Sequence, residues 1–276
     1  MVECKKAISD PEVNGDFDKA TDWLRKHGSA KMTSKLAGRD ASEGLVGIAM
    51  GNNDTIASIV RVSSETDFAS RSPDFSNLVE TIANASLKLG GTEDVSIDQL
   101  KETDNVQLAL DDAIISIREN LQIASASTIT ASTPNSIITG YVHGKVFNDK
   151  SAGTAAAIVE LAPIGSDDSK SKEEVIEIGK KLAMHIVAAK PTYLDPSSIP
   201  DDIINKEKAV LLDQMADSGK PANILDKIVT GRLGKFYSGV CLLEQNHMLE
   251  EGNPKVSKFL KGCGLELISY ENISIQ

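Results

Sequence analysis

Thr66-Asp67-Phe68 sets a hydroxyl, a carboxylate and an aromatic ring on three consecutive residues, inside the stretch Ser63-Ser64-Glu65-Thr66-Asp67-Phe68-Ala69-Ser70-Arg71. The hydroxyl and carboxylate can accept hydrogen bonds from backbone amides or from a partner's donors, and the ring is a large apolar anchor. Such a group is equipped for recognition rather than for making bonds. Two readings compete on local sequence. In one, Thr66 and Asp67 satisfy the orphan amides of a helix start while Phe68 packs as a hydrophobic staple. In the other, Phe68 projects as a wedge, Asp67 is an acceptor aimed at a partner, and small Ala69 and Ser70 let that partner come close.

The rest of the chain offers little to covalent chemistry. None of the four Gly-Lys pairs, at Gly144, Gly179, Gly219 and Gly234, has the glycine and Ser/Thr spacing of a phosphate cradle. His27, His143, His185 and His247 are scattered without metal-binding spacing, and Cys4, Cys241 and Cys263 form no Cys-x-x-Cys pair. No Gly-x-Ser-x-Gly elbow is present to carry a nucleophile, and with no phosphate cradle and no ligand spacing neither a cofactor nor a metal is expected. With Lys+Arg 29 against Asp+Glu 40, the net charge of −11 argues against a nucleic-acid binder. No apolar run reaches membrane-spanning length, and an odd cysteine count suits a reducing compartment.

The elements that must position the trio follow from the apolar pattern. Leu45 to Met50 and Ile56 to Val62 flank the turn Gly51-Asn52-Asn53-Asp54 and predict a β-hairpin. Ser72-Pro73 reads as an N-cap with proline at the first helical position, and Phe75, Leu78, Val79, Ile82 and Leu87 form the apolar stripe of the helix it starts. Glycines at 90 and 91 end it; a helix over Val106–Arg118 and a strand over Leu121–Thr130 come next. The trio therefore lies on the crossing from hairpin to helix.

On either side the chain is organised as follows. Two short helices, Met1–Ser9 and one from Asp16 to His27-Gly28, precede a basic stretch from Lys26 to Arg39 that reads as a linker with a solvated helix. They bury too little to stand alone. The second half repeats the hairpin-then-helix scheme: strands over Ile137–Val142 and Ala155–Leu161 are joined by a loop from Gly144 to Gly153, and a helix over Lys172–Ala189 follows. Beyond Pro191 and Pro200 three helices are expected, over Asp201–Asp217, Pro221–Lys235 and Phe236–Leu249, broken at Gly219-Lys220-Pro221 and Gly234. A helix over Pro254–Lys261 and a strand over Leu265–Tyr270 close the chain. The class is α+β, with antiparallel sheets each covered by helices, divided as residues 1–40, 41–131 and 132–276.

Several blocks, in order, resemble the elongation factor Ts family. They are Cys4-Lys5-Lys6-Ala7, Asn14-Gly15-Asp16, Trp23-Leu24-Arg25, Glu43-Gly44-Leu45, Glu65-Thr66-Asp67-Phe68 with Arg71 and Phe75, Tyr141-Val142-His143, Leu182 to Ala189, Gly219-Lys220-Pro221, Gly231-Arg232-Leu233 and Leu242 to Gln245. Blocks in this order are far more specific than the trio alone, and they favour the wedge. The resemblance implies a guanine nucleotide exchange factor for elongation factor Tu, without covalent chemistry, nucleic acid or membrane. It implies that Phe68 inserts into the GTPase while Thr66, Asp67 and Ala69 disturb its magnesium and phosphate region. Met1, Val2 and His143 correspond to further contacts, and the first 40 residues to a helical domain of ubiquitin-associated type that lacks its first helix. The wording of Ala183 to Ala189 leans towards mitochondrial members, with a plastid or a bacterial cytoplasm as alternatives, and the chain reads as truncated ahead of Met1. Departures are Ala69-Ser70 for a usual Val-Ala, Ser72 for Asn, Gly239 for Glu and Asn246-His247 for Pro-Phe. A ubiquitin-type binding adaptor and an acidic metabolic enzyme are the readings from other classes.

Overall fold

The computed structural model describes residues 2–36, 38–90, 95–165, 170–214 and 222–275. Met1 and Gly219-Lys220-Pro221 lie outside them. The chain forms two compact units, one of Met1–Thr130, Gly140–Ile158 and Glu271–Gln276, the other of Ala131–Thr139 and Val159–Tyr270.

In the first unit the hairpin forms as expected, from β1 (Glu43–Met50) and β2 (Ile56–Ser64), antiparallel with Leu45 opposite Val62 and Ile48 opposite Ile59. Both faces of this pair are buried, which explains why its sequence reads as apolar runs rather than strict alternation. Leu45, Ala49, Val60 and Val62 join the core beneath the helix α4 (Pro73–Leu89), with Phe75, Leu78, Val79 and Ile82 on its buried stripe. Close approach of α4 needs Gly47: a Cβ there would stand 2.5 Å from Val79 Cγ1. Between β2 and α4 the chain makes the single turn α3 (Asp67–Ser70).

Past α4 come α5 (Ile97–Lys101), whose Ser96–Gln99 capping box went unread in the sequence, then α6 (Asp104–Ile117) and β3 (Gln122–Thr130). β3 pairs antiparallel with β2 and carries an irregularity opposite Arg61/Val62, so Arg61 faces Ser125 and Val62 faces Ile123. The extra residue, Ala124, lies on β3, so the bulge bends β3 and raises the local twist beside the end of β2 that feeds the Thr66 turn.

Two expectations for this unit need correction. The second helix, α2, does not stop at His27-Gly28 but runs Phe17–Leu36, and α1 covers Val2–Ser9. A Cβ added at Gly28 would stand 3.8 Å from Ile115 Cδ1 of α6, so the two helices run close there; Arg25 pairs with Asp112 at 2.7 Å, and Leu36 is buried in the main core. Packing on α6 thus outweighs the roughly 1 kcal/mol a mid-helix glycine costs, and the helix expected in the basic stretch is a continuation of α2 rather than a separate one. The loop expected over Gly144–Gly153 also holds a short strand, β5 (Ala152–Gly153), which pairs with β1 at Val46 and Gly47. The four-stranded sheet has the order β3-β2-β1-β5. The small N-terminal cluster is Ala7, Val13 and Ala20 with Trp23 and Leu24, as thin as its composition suggested.

A three-stranded sheet has the order β4-β6-β7, from β4 (Ile137–His143), β6 (Ala155–Pro163) and β7 (Leu265–Ser274). In the second unit α7 (Lys172–Ala189) starts at the Ser171–Glu174 capping box and ends where Lys190 turns left-handed at φ 47°. Then α8 (Asp201–Asp213) and α9 (Ala222–Val240) pack through Leu211, Val229 and Leu233. Here the break expected at Gly234 is wrong: α9 passes through it, an added Cβ there would meet nothing within 4 Å, and no helix spans Phe236–Leu249. Thr192 and Tyr193 donate to the Val240 carbonyl and end α9, and a short 3₁₀ turn, Leu242–Glu244, follows before α10 (Val256–Gly262). Among the described residues no helix is long and apolar enough to cross a membrane.

Candidate functional site

The trio stands at the end of β2, where Ser63 and Ser64 are still buried. Thr66 is extended (φ −129°, ψ 155°) and caps α3, its Oγ1 accepting from Ala69 N at 3.2 Å. Below it the carbonyls are also satisfied: Ser64 Oγ donates to Thr66 O at 3.0 Å, Ser70 Oγ to Asp67 O at 2.9 Å and Ser72 Oγ to Ala69 O at 2.8 Å. Ala69 and Ser70 face inward at 7% and 5% exposure, whereas Phe68 is 84% exposed. The ring does not pack as a staple. One helical step of about 100° separates the buried face of α3 from the side chain it pushes outward.

Asp67 is exposed and pairs with Arg71 at 3.4 Å across one helical turn. Both members are well solvated, so the pair contributes little beyond keeping the two groups together. The departures from the family wording fit this geometry. Ser70 finds a carbonyl for the hydroxyl that Ala would lack, and Ser72 caps α4 by accepting from Phe75 N at 3.2 Å.

Residues that the sequence did not single out hold the turn from the other side. Glu119 follows α6, where Arg118 adopts the left-handed conformation (φ 63°) that turns the chain back. Its Oε2 accepts from Glu65 N and Thr66 N, both at 3.0 Å, and its Oε1 accepts from the Thr66 hydroxyl at 2.7 Å. In return Asn120 N donates to Glu65 Oε1 at 2.7 Å, and the other Glu65 oxygen lies 3.5 Å from Arg39 Nη1. Asn120 Nδ2 reaches the Arg39 carbonyl at 2.7 Å. The only sequence signal for these contacts is the Glu-Asn pair after a helix, which is common in turns.

The other residues expected to contact a partner stand apart from the turn. Val2 is 69% exposed on α1, which Glu3 ties to α2 through Lys31 at 3.2 Å. His143 is exposed at the end of β4, its Nδ1 3.3 Å from the Tyr141 hydroxyl. Among the described residues no hydrogen bond, ion pair or ring contact joins either of them to the turn.

Chemistry elsewhere is muted. In the second unit His185 Nε2 meets Gln245 Oε1 at 3.1 Å, and its ring stacks on that of His247 with centroids 5.2 Å apart. Burial lowers the pKa of both, that of His247 to about 4, so these are neutral core rings at physiological pH. His247, one of the departures, fills a position beside Phe259 and is fully buried. Burial pushes the Cys241 thiol up to about 11, which makes it a poor nucleophile. Among the described residues no group of three or more His, Cys, Asp or Glu side chains could hold a metal ion. The turn, by contrast, combines an exposed apolar anchor with a carboxylate on a base whose polar groups are satisfied. That suits docking against another macromolecule.

Residues 65–275 match the family described as Elongation factor TS. Among curated proteins, Elongation factor Ts of Rhodopseudomonas palustris (strain TIE-1) is 36% identical over 261 residues, covering 95% of this chain and 80% of that protein. Elongation factor Ts of Paramagnetospirillum magneticum (strain AMB-1) is 38% identical over 269 residues, covering 97% and 81%. For Elongation factor Ts of Bartonella tribocorum the figures are 37% over 247 residues, 89% and 76%.

Proposed function

The chain belongs to the elongation factor Ts family of translation elongation factors, and from that premise we propose that it releases GDP from elongation factor Tu by inserting Phe68. The observation that carries this reading is the ring itself: 84% exposed, on a turn whose flanking backbone groups are fastened by Thr66, Ser70, Ser72 and Glu119. An apolar side chain held out from a rigid base gains its burial energy only when another surface covers it.

Exchange of this kind is coupling. Factor and GDP bind the same GTPase, and each weakens the other by the same free energy. A nucleotide held at nanomolar affinity has about 12 kcal/mol of binding free energy, so a thousandfold faster release needs about 4 kcal/mol of differential stabilisation. One aromatic supplies roughly 1.5–3 kcal/mol. Phe68 therefore sets the rate together with Thr66, Asp67 and Ala69 at the magnesium and phosphate region, while other surfaces supply affinity. In the three-part division, residues 41–131 carry the wedge. Residues 132–276, with the stretch from α9 to Leu249, together with His143 grip elsewhere, and Val2, with Met1 beside it in sequence, contacts the GTPase domain from the N-terminal part of ubiquitin-associated type. No covalent step, nucleic acid, membrane or cofactor enters. A mitochondrial compartment belongs to the same reading and rests on the Ala183 to Ala189 wording; the relatives above come from bacteria, where the compartment is the cytoplasm.

Stopped-flow release of fluorescent GDP from the cognate elongation factor Tu tests this. The chain should accelerate release, and Phe68→Ala should slow the stimulated rate about tenfold, the effect of about 1.4 kcal/mol in the barrier. No acceleration from the unaltered chain would remove the exchange reading, and an unchanged rate with Phe68→Ala would remove the wedge.

A further inference from the structure

The carboxylate of Glu119 takes the two amides that lead into the trio, Glu65 N and Thr66 N, on one oxygen and the Thr66 hydroxyl on the other. A hydroxyl has one proton. In Thr66 that proton goes to Glu119, which leaves a lone pair for Ala69 N, the bond that opens α3. Only a side chain with no proton to give lets the hydroxyl donate one way and accept the other without competition. The contact is reciprocal, because Asn120 N donates back to Glu65. Two segments of chain are thus laced together by each other's carboxylates, at the point where α3 begins and two residues before the exposed ring.

We infer that Glu119 is a positioning residue for nucleotide exchange, acting through Phe68. It fixes the first turn of α3, and so the direction of the ring, before the partner arrives. This inference rests on the proposed function. A ring presented from an unfastened turn would still reach its site, but part of the gain from burying it would go to ordering the turn. The trio is therefore incomplete without a residue more than fifty positions away, and Arg118 in its left-handed conformation is what directs the chain so that Glu119 faces Thr66.

The test is a set of double-variant cycles in the stopped-flow GDP-release assay, with the full chain and thermal melts run alongside. Glu119→Gln keeps the size of the side chain and an oxygen for the two amides, but its amide group faces the Thr66 hydroxyl and competes with Ala69 N for the lone pair. It should lower the saturating release rate about three- to tenfold while the factor concentration for half-saturation moves less than about twofold. Placed on Phe68→Ala, it should lower the rate less than about twofold further, because the ring through which it acts is gone. Thr66→Val, a second route to the same broken bond, should give a similar loss, and combining it with Glu119→Gln should lose no more than the worse of the two. An equal fold loss from Glu119→Gln with and without Phe68, or none in either background, overturns the positioning role alone. A Phe68→Ala chain as fast as the unaltered one overturns this inference and the wedge together.

Discussion

Phe68 and Phe75 lie on successive helical starts, each opened by a hydroxyl cap, and they finish on opposite sides of the surface. Thr66 and Ser72 each accept from the backbone amide three residues on, at Ala69 and Phe75. Aligned by their caps, Asp67 matches Pro73, Phe68 matches Asp74, Ala69 matches Phe75 and Ser70 matches Ser76. The third and fourth positions are buried in both starts, and the second is exposed in both. Phe75 falls on the third position and is the first member of the stripe that Leu78, Val79 and Ile82 continue, at 0% exposure. Phe68 falls one place earlier. In these two starts, position relative to the cap separates the ring that joins the core from the ring left for another molecule.

The largest effect that would sharpen this contrast is Phe75→Ala. Removing a fully buried ring should lower the unfolding free energy by about 3–5 kcal/mol in urea titration. A loss under about 1 kcal/mol would mean that Phe75 is not the keystone its burial suggests. Phe68→Ala should reverse the pattern, with unfolding free energy within about 0.5 kcal/mol of the unaltered chain and the tenfold loss in GDP release given above. Destabilisation comparable to that of Phe75→Ala would erase the distinction. Ser72→Ala removes the cap of α4 and should lower stability by about 1 kcal/mol, read by the same titration, with a far smaller change in release rate than Phe68→Ala. If it slowed release as strongly, the two starts would be acting as one device. Smallest of all, Arg71→Ala breaks the exposed pair with Asp67 and should shift stability by only about 0.3–0.5 kcal/mol, an effect that rising salt should shrink in the unaltered chain.

What the sequence made legible was local. The β1–β2 hairpin, the Ser72-Pro73 start and the stripe of α4 were readable because apolar period, turn residues and cap agree within a dozen positions. The burial shared by the Thr66 and Ser72 starts is not general, since the third position after the Ser96 and Ser171 caps, Gln99 and Glu174, is exposed, so the sequence alone left the exposure of Phe68 open. What stayed hidden depends on distant contacts. Gly28 and Gly234 look like helix ends, yet α2 continues because Ile115 and Asp112 lie alongside it, and α9 ends instead where Thr192 and Tyr193 reach the carbonyl of Val240. His247, in sequence only a departure from the family wording, is a buried ring between His185 and Phe259. Glu119 carried only the weak signal of a Glu-Asn pair after a helix, since its importance lies in where α6 and β3 bring it.

The lacing of Glu65 and Thr66 to Glu119 and Asn120 also has a temporal side. Its amides are bridged to carboxylates more than fifty positions away along the chain, with α3, α4, α5 and α6 in between. A chain emerging from the ribosome has the trio early but cannot set it until Asn120 has followed and α6 has docked. The exposed ring is thereby tied to completion of the fold around it, and a partly made chain would display a phenylalanine without the posture that gives it a use.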